Sequence, residues 1–282
     1  MTSNKQLFRF ILLPLILGFS LSAFAQKSEN KTRNFCDGNN YSYNDRATFK
    51  ELRELTASAG SEINVDARRN GGISVRGENR SDVLVRACIQ TTGDTETEAA
   101  NLAKSIRIET GSQIRATGAN EENGWAVSYE ILVPRNSNLN LTAKNGGISV
   151  RSVEGNIEFS TQNGGVAVKD AAGDVKGRTI NGGVSVELSG ASWRGNGIDV
   201  QTTNGGVHLS VPENFAANIE AGTVNGGFKS DIPALNVSQN GNETHGRTSK
   251  RINTTLNGGG ANVRVVTTNG GIRIDSVTSK ED

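Results

Sequence analysis

The triplet Asn-Gly-Gly occurs eight times in this chain, at Asn70, Asn145, Asn163, Asn181, Asn204, Asn225, Asn257 and Asn269. Each copy is followed by a short run that alternates apolar and polar residues. Six copies are preceded two positions earlier by threonine: Thr161, Thr179, Thr202, Thr223, Thr255 and Thr267. A pattern repeated this often is architecture before it is chemistry. A catalytic site is needed once, whereas a structural corner is needed in every turn of a repeating coil.

Asn145, Asn163 and Asn181 are 18 residues apart; the later intervals are 23, 21, 32 and 12. Each 18-residue unit holds two strand-like runs. In the first, Ile148 and Val150 share one face, then Ile157, Phe159 and Thr161 share another after Gly155. The next unit gives Val166 and Val168, then Val175 and Thr179, and the pattern continues through Val184, Val186, Ile198 and Val200. Period-two alternation places one face inward and one outward. Asn-Gly is also a strong hairpin signal, so an antiparallel sheet or sandwich competes with a coil. The fixed pitch favours the coil. The predicted fold is all-β, a β-solenoid of stacked parallel coils with N-G-G corners. Those corners are expected to exploit the tolerance of Asn and Gly for left-handed backbone. Open edges at the last coil, Gly270 to Ser276, would invite edge-to-edge pairing unless covered.

The region before Asn145 is less regular. Strands are predicted at 62–66, 72–76, 82–91, 106–109, 113–116 and 125–133. One short helix is predicted near 94–105, from a capping residue, early acidic positions and Ala/Leu spacing. A weaker helix is read at Thr48 to Thr56. The resulting division is a signal peptide at 1–25, a polar segment at 26–60, an irregular β region at 61–143 and β-strand repeats at 144–282.

Lys5 and Arg9, the apolar run Phe10 to Phe24 and Ala23-Phe24-Ala25 before Gln26 read as a cleaved secretory signal. Its removal leaves 28 basic against 29 acidic residues, a net charge of −1. That balance gives no indication of nucleic acid or an anionic membrane as partner, and no membrane span is expected after cleavage. The expected location is exported, with the periplasm ahead of the cell surface. Cys36 and Cys88 are an even pair without a C-x-x-C spacing, so a disulfide is expected rather than a metal or redox site.

The run VSYEILVPRNSNLNLTAKNGGISVRSVEGNIEFSTQNGGVAVKDAAGDVKGRTINGGVSVEL, Val127 to Leu188, resembles the bacterial putative-adhesin family of β-strand-repeat proteins, a domain of unknown function. Arg69 to Ala87 is similar to the N-terminal portion of that family, and the likeness spans about Ser61 to Ile274. It implies an exported β-solenoid with no established catalytic residues. The stretch Asp231 to Lys250 departs from the pattern.

Signals for chemistry are sparse. The triplets precede strands and lack the Gly-Lys-Ser/Thr of a phosphate loop and the Asp of a calcium nonapeptide, so they read as corners. His208 is expected outward and His245 in an irregular loop. If coils stack in chain order, one outward column reads Glu158, Lys176, Asp199, Glu220. This would bring Asp199 and Glu220 to a separation of about 5 Å, as in a retaining glycosidase. The competing reading is an ion-pair ladder Glu158–Lys176–Asp199 on a solvated face. No catalytic residue, metal or cofactor is predicted. Trp193 with Arg194, in the insertion Ser189–Asn196, is the candidate contact point, against packing of the indole over the coil edge. The expected function is a non-enzymatic binding or structural surface with a protein or glycan ligand. The alternatives are a carbohydrate-binding or polysaccharide-cleaving β-helix and a periplasmic scaffold or sensor of envelope stress.

Overall fold

In a computed structural model of the chain, residues 35–37, 46–119, 124–235 and 250–278 are described. The signal-peptide reading at 1–25, His245 and most of the stretch 231–250 lie outside them. Strands β1 (Ala47–Ser58), β2 (Ile63–Asp66), β3 (Ile73–Glu78) and β4 (Asp82–Gly93) precede the helix α1 (Glu96–Ser105). Strands β5 (Arg107–Thr110), β6 (Ile114–Thr117) and β7 (Trp125–Pro134) follow it. The repeats then run β8 (Leu139–Asn145), β9 (Ile148–Arg151), β10 (Glu154–Asn163), β11 (Val166–Lys169), β12 (Ala172–Asn181) and β13 (Val184–Glu187). They continue through β14 (Gly197–Asn204), β15 (Val207–Pro212), β16 (Ala217–Asn225) and β17 (Phe228–Ser230). Last come β18 (Lys250–Leu256), β19 (Asn262–Asn269) and β20 (Ile272–Val277). The chain is all-β with one α-helix among the described residues.

The triplets do not close hairpins. Each of those at 145, 163, 181, 204, 225 and 269 carries the chain out of one ten-stranded sheet and into the other. The first sheet runs β1-β4-β7-β3-β9-β11-β13-β15-β20-β17, and the second runs β18-β16-β19-β14-β12-β10-β8-β2-β6-β5. Neighbouring repeats pair in parallel and in register, Asn163 opposite both Asn145 and Asn181. Antiparallel pairing is confined to β1, β4 and β7 in the first sheet, and to β5 with β6 and β16 with β18 in the second. The topology is therefore mixed rather than a uniform set of parallel coils.

The rungs do not follow chain order throughout. Strand β19 inserts between β14 and β16, and β20 inserts between β15 and β17. Gly270 to Ser276 is thus an interior rung, not the open edge that its position in the sequence suggests. The asparagines stack accordingly, in the order 70, 145, 163, 181, 204, 269, 225. From Asn145 onward each side-chain amide donates to the carbonyl oxygen of the preceding asparagine in the stack at 2.7–3.0 Å. Such a ladder spends the donor and acceptor of every interior amide on the stack itself.

Close approach, not left-handed backbone, is what demands glycine after most of these asparagines. A Cβ on Gly146, Gly164, Gly182 or Gly205 would lie 1.9–2.1 Å from the carbonyl oxygen of the first glycine one rung away. Asn257 is the exception among the asparagines: its φ is 47°, and it stands outside the ladder. There the chain turns from β18 toward β19, and the Asn257 amide donates to Glu213 O and Phe215 O at 3.0 Å. Thr255 leaves the pattern with it and donates to Asn218 Oδ1. The return corner, which the triplets do not mark, uses Ser152 and Asp170 at φ 55° and 48°. The Ser152 hydroxyl donates to Asp170 at 2.8 Å.

Inward side chains from the two sheets form one core. Ile148, Val150, Ile157, Val166, Val168, Val175, Val184, Val186, Ile198 and Val200 are all at most 3 % exposed. Each such aliphatic contributes about 1.5–3 kcal/mol on full burial. Thr161, Thr179, Thr202, Thr223 and Thr267 are buried at the corner end of the core. Their hydroxyls donate at 2.7–2.8 Å to the first-glycine carbonyl of the adjacent rung. Replacing Thr202 by valine removes that donor at nearly constant shape and strands the Gly182 carbonyl, at an expected cost of about 1–2 kcal/mol. The same change at exposed Thr203 is expected to cost less than about 0.5 kcal/mol. Urea unfolding of the two variants makes the comparison.

At the other end, Cys36 and Cys88 form a disulfide with a Cα–Cα distance of 5.3 Å. The helix begins at the N-cap Thr95, whose hydroxyl accepts from Glu98 N, while the Glu98 carboxylate accepts from Asp94 N. This reciprocal pair explains why the helix starts there. The weaker helix expected at Thr48 to Thr56 is instead the middle of β1. That segment pairs antiparallel with β4 from Ala47 to Ser58, so long-range pairing overrides its helix-forming Lys, Glu, Leu and Arg content. Arg53 on β1 donates to the carbonyls of Ala103 and Ile106, closing the C-terminal end of α1.

Candidate functional site

Parallel, in-register pairing turns the outward residues of the second sheet into columns. The first column reads Glu158, Lys176, Asp199, Arg264, Glu220 across β10, β12, β14, β19 and β16. Because β19 is interposed, Asp199 and Glu220 are not neighbours. Arg264 stands between them, with Nη1 2.7 Å from Asp199 and Nε 3.3 Å from Glu220. Burial acts to lower the Arg264 pKa, and the two carboxylates more than offset it, so the net shift is upward. A guanidinium fixed between the two groups leaves no shared space for a glycosidic bond, and neither carboxylate is isolated in the apolar setting that acid catalysis requires. The expectation of an adjacent carboxylate pair is corrected accordingly. The expected ion-pair ladder also changes, since Lys176 pairs with Asp174 of its own strand at 3.1 Å.

The next two columns are different in kind. One reads Ser160, Arg178, Gln201, Val266, Gly222, Arg251, and the one beside the corners reads Lys144, Gln162, Ile180, Thr203, Thr268, Val224. Together they line an open groove of about 880 Å³ on the outer face of the second sheet. No carboxylate and no aromatic ring lines it, whereas Lys144, Arg178, Lys250, Arg251 and Arg264 do. Arg264 is committed to the first column, and Arg251 lies 3.8 Å from Glu220. Lys144 and Arg178 have no ion pair among the described residues. Ile180 and Val224 are 45 % and 41 % exposed, the large apolar side chains most open to solvent among the described residues. None of the groove's cations stands out in the sequence, and Arg264 and Arg251 belong to strands that join the stack out of order.

On the first sheet the outward column Ser149, Ala167, Ser185, His208 continues into Arg273 and Lys229. His208 is outward as expected, with Nε2 3.0 Å from Asp275 Oδ2. Arg273 binds the same carboxylate at 2.6 Å. The Arg273 hydrogen bond holds the Asp275 pKa below the usual carboxylate range, burial opposes that, and His208 adds to the lowering.

Trp193 does not present its ring to solvent. The side chain is buried in the core, and its indole N–H donates to Gly173 O at 3.0 Å. The insertion therefore folds back over the coil edge and uses Trp193 as its anchor. Arg194 is exposed and sits 3.5 Å from Glu154. The two residues do not form a joint contact surface. Among the described residues, no group of three or more His, Cys, Asp or Glu side chains is placed to hold a metal ion. No helix among them is long and apolar enough to cross a membrane.

The profile of the Toastrack DUF4097 family matches residues 88–275, about two thirds of the sequence. The chain belongs to the Toastrack DUF4097 family. The resemblance read from Val127 to Leu188 falls wholly inside the matched segment. This Toastrack chain has no match among curated proteins. A putative cell adhesion protein from Clostridium sporogenes is similar at 13% identity, covering 82% of this chain and 100% of its own, with a TM-score of 0.45. A putative adhesin from Bacteroides fragilis is similar at 11% identity, covering 80% and 97%, with a TM-score of 0.39. A putative lipid binding protein from Parabacteroides distasonis is similar at 11% identity, covering 81% and 96%, with a TM-score of 0.30.

Proposed function

We propose that this Toastrack chain is an exported, non-enzymatic β-solenoid that serves the cell envelope as a binding or structural surface, with the periplasm as its location. After a signal at 1–25, a polar segment at 26–60 contributes β1 to the edge of the first sheet, the irregular region at 61–143 continues the stack and the repeats at 144–282 extend it. One observation carries the reading: the repeated residues are spent on the stack. The ladder asparagines bond to one another, five of the six repeat threonines bond to the next rung, and the first glycines are fixed by backbone contact. What the repeats leave outward is a regularly spaced array of side chains, which suits recognition better than turnover.

The disulfide supports export, because such bonds persist in oxidising compartments and are rare in a reducing cytosol. Fractionation of the producing bacterium tests the proposal. The chain is expected in the fraction released by outer-membrane disruption, and resistant to protease added to intact cells. Retention in the cytosol, with Cys36 and Cys88 reduced, overturns it.

A further inference from the structure

The groove on the second sheet has a chemistry that narrows its ligand. Its charges are all positive although the sequence as a whole carries a formal net charge of only +1. Three carboxylates of the same face, Glu158, Asp199 and Glu220, stand in the first column, where Lys176 and Arg264 sit between them. Neighbouring parallel strands lie about 4.8 Å apart and residues rise about 3.3 Å along a strand, so Lys144 and Arg178, two rungs and two positions apart, have backbones roughly 12 Å from each other. Between and beyond them stand Gln162, Thr203 and Thr268, whose side chains make no hydrogen bond among the described residues. Ile180 and Val224 supply apolar patches on the same floor.

We propose that this groove binds a linear acidic polysaccharide lying across the strands. Carboxylates on alternate sugars meet Lys144 and Arg178, hydroxyls meet the unbonded amide and hydroxyl groups, and sugar faces rest on Ile180 and Val224. An extended uronan of two-fold symmetry repeats its carboxylates on one side at an interval of the same order as two rungs. A single-stranded nucleic acid fits less well, since its bases need aromatic platforms and none lines the groove. An anionic bilayer fits less well too, because it calls for a protruding face with apolar side chains that insert, not a recessed one. The inference rests on the reading of the chain as a binding surface and names the ligand class of that surface.

The test is binding of purified protein to polymannuronate, with dextran, phosphatidylglycerol vesicles and oligothymidylate as alternative ligands. Polymannuronate is expected to bind, to weaken as salt rises from low to physiological levels, and to exceed dextran clearly. The double variant Lys144→Gln/Arg178→Gln is expected to lose about tenfold or more in affinity, equivalent to roughly 1.4 kcal/mol. Lys176→Gln, in the self-neutralised column, is expected to change affinity less than about twofold, in line with the small worth of exposed pairs. Both changes are on the surface, so an unaltered melting temperature shows that folding is intact. Equal binding of dextran, an unaffected double variant, or binding of vesicles or oligothymidylate in place of polymannuronate overturns the proposal. Failure here with the chain still found in the periplasm removes the ligand class alone. Cytosolic retention removes the reading beneath it.

Discussion

Alanine at Gly164 or Gly182 is expected to destabilise the protein by more than about 4 kcal/mol, while alanine at Gly165 or Gly183 changes stability by less than about 1 kcal/mol. The two glycines of one triplet look interchangeable in sequence and are not. A Cβ on Gly164 would lie 2.1 Å from Gly146 O and 2.4 Å from its carbonyl carbon, and a Cβ on Gly182 meets Gly164 in the same way. Both obstacles are backbone held by ladders on either side, so relief requires separating whole rungs. A Cβ on Gly165 or Gly183 would have its nearest contact at 3.4 Å, ordinary van der Waals distance. Neither second glycine sits in the left-handed region, so alanine there also gains from a less flexible unfolded chain. Denaturant unfolding of the four single variants reads the contrast. Equal effects at both positions of a triplet would contradict the backbone-contact account of the corner.

The second large effect is expected where Phe159 and Gly177 face the core side by side, paired across β10 and β12. The Phe159 ring lies over Gly177, so that a Cβ there would sit 1.8 Å from its Cε2 atom. The other rungs at this level carry aliphatics: Leu141 on one side of the pair and Val200 on the other. Gly177→Val alone is expected to cost about 3 kcal/mol or more through overpacking. Phe159→Val alone leaves a cavity beside a glycine, at a cost of about 2–4 kcal/mol. The double variant gives this level two aliphatics like its neighbours, and its cost is expected to fall at least about 2 kcal/mol short of the sum. A double-mutant cycle measured by thermal or chemical unfolding supplies the number, and simple additivity would show that the ring does not occupy that space.

Much of the stack is legible in the residues, for a physical reason. Period-two alternation from Ile148 to Leu209 fixes which side chains enter the core, and the 18-residue pitch fixes which positions meet. The order of the last rungs is not legible. Asn204, Asn225 and Asn269 head nearly identical units, so no local preference distinguishes a stack in chain order from one with β19 interposed. That ambiguity produced the expected Asp199–Glu220 pair and hid Arg264, the residue that separates them. Asn257 carries the same triplet as the others, yet the antiparallel approach of β18 gives it a different turn. For Trp193 the sequence leaves a loop contact and packing over the coil edge both open, because the partner that fixes the packing, the Gly173 carbonyl, lies 20 residues away in a neighbouring rung. The basic groove is not legible for the same reason: its cations come from β8, β12, β18 and β19, and the strand order gathers them.

Cysteine cross-linking tests that strand order most directly. Thr203 and Thr268 are flanked by the paired residues Thr202–Thr267 and Asn204–Asn269, whereas Val224 belongs to the rung beyond. Adjacent strands place Cα atoms about 4.8 Å apart, inside the range of about 4.4–6.8 Å that a disulfide accepts, and next-but-one strands fall at nearly twice that distance. Mild oxidation of Thr203→Cys/Thr268→Cys is expected to give an intramolecular cross-link in peptide maps, with the Cys36–Cys88 bond intact. Thr203→Cys/Val224→Cys is expected to give none. A cross-link in the second variant and not in the first would restore chain-order stacking and remove the groove built on the interposed strand.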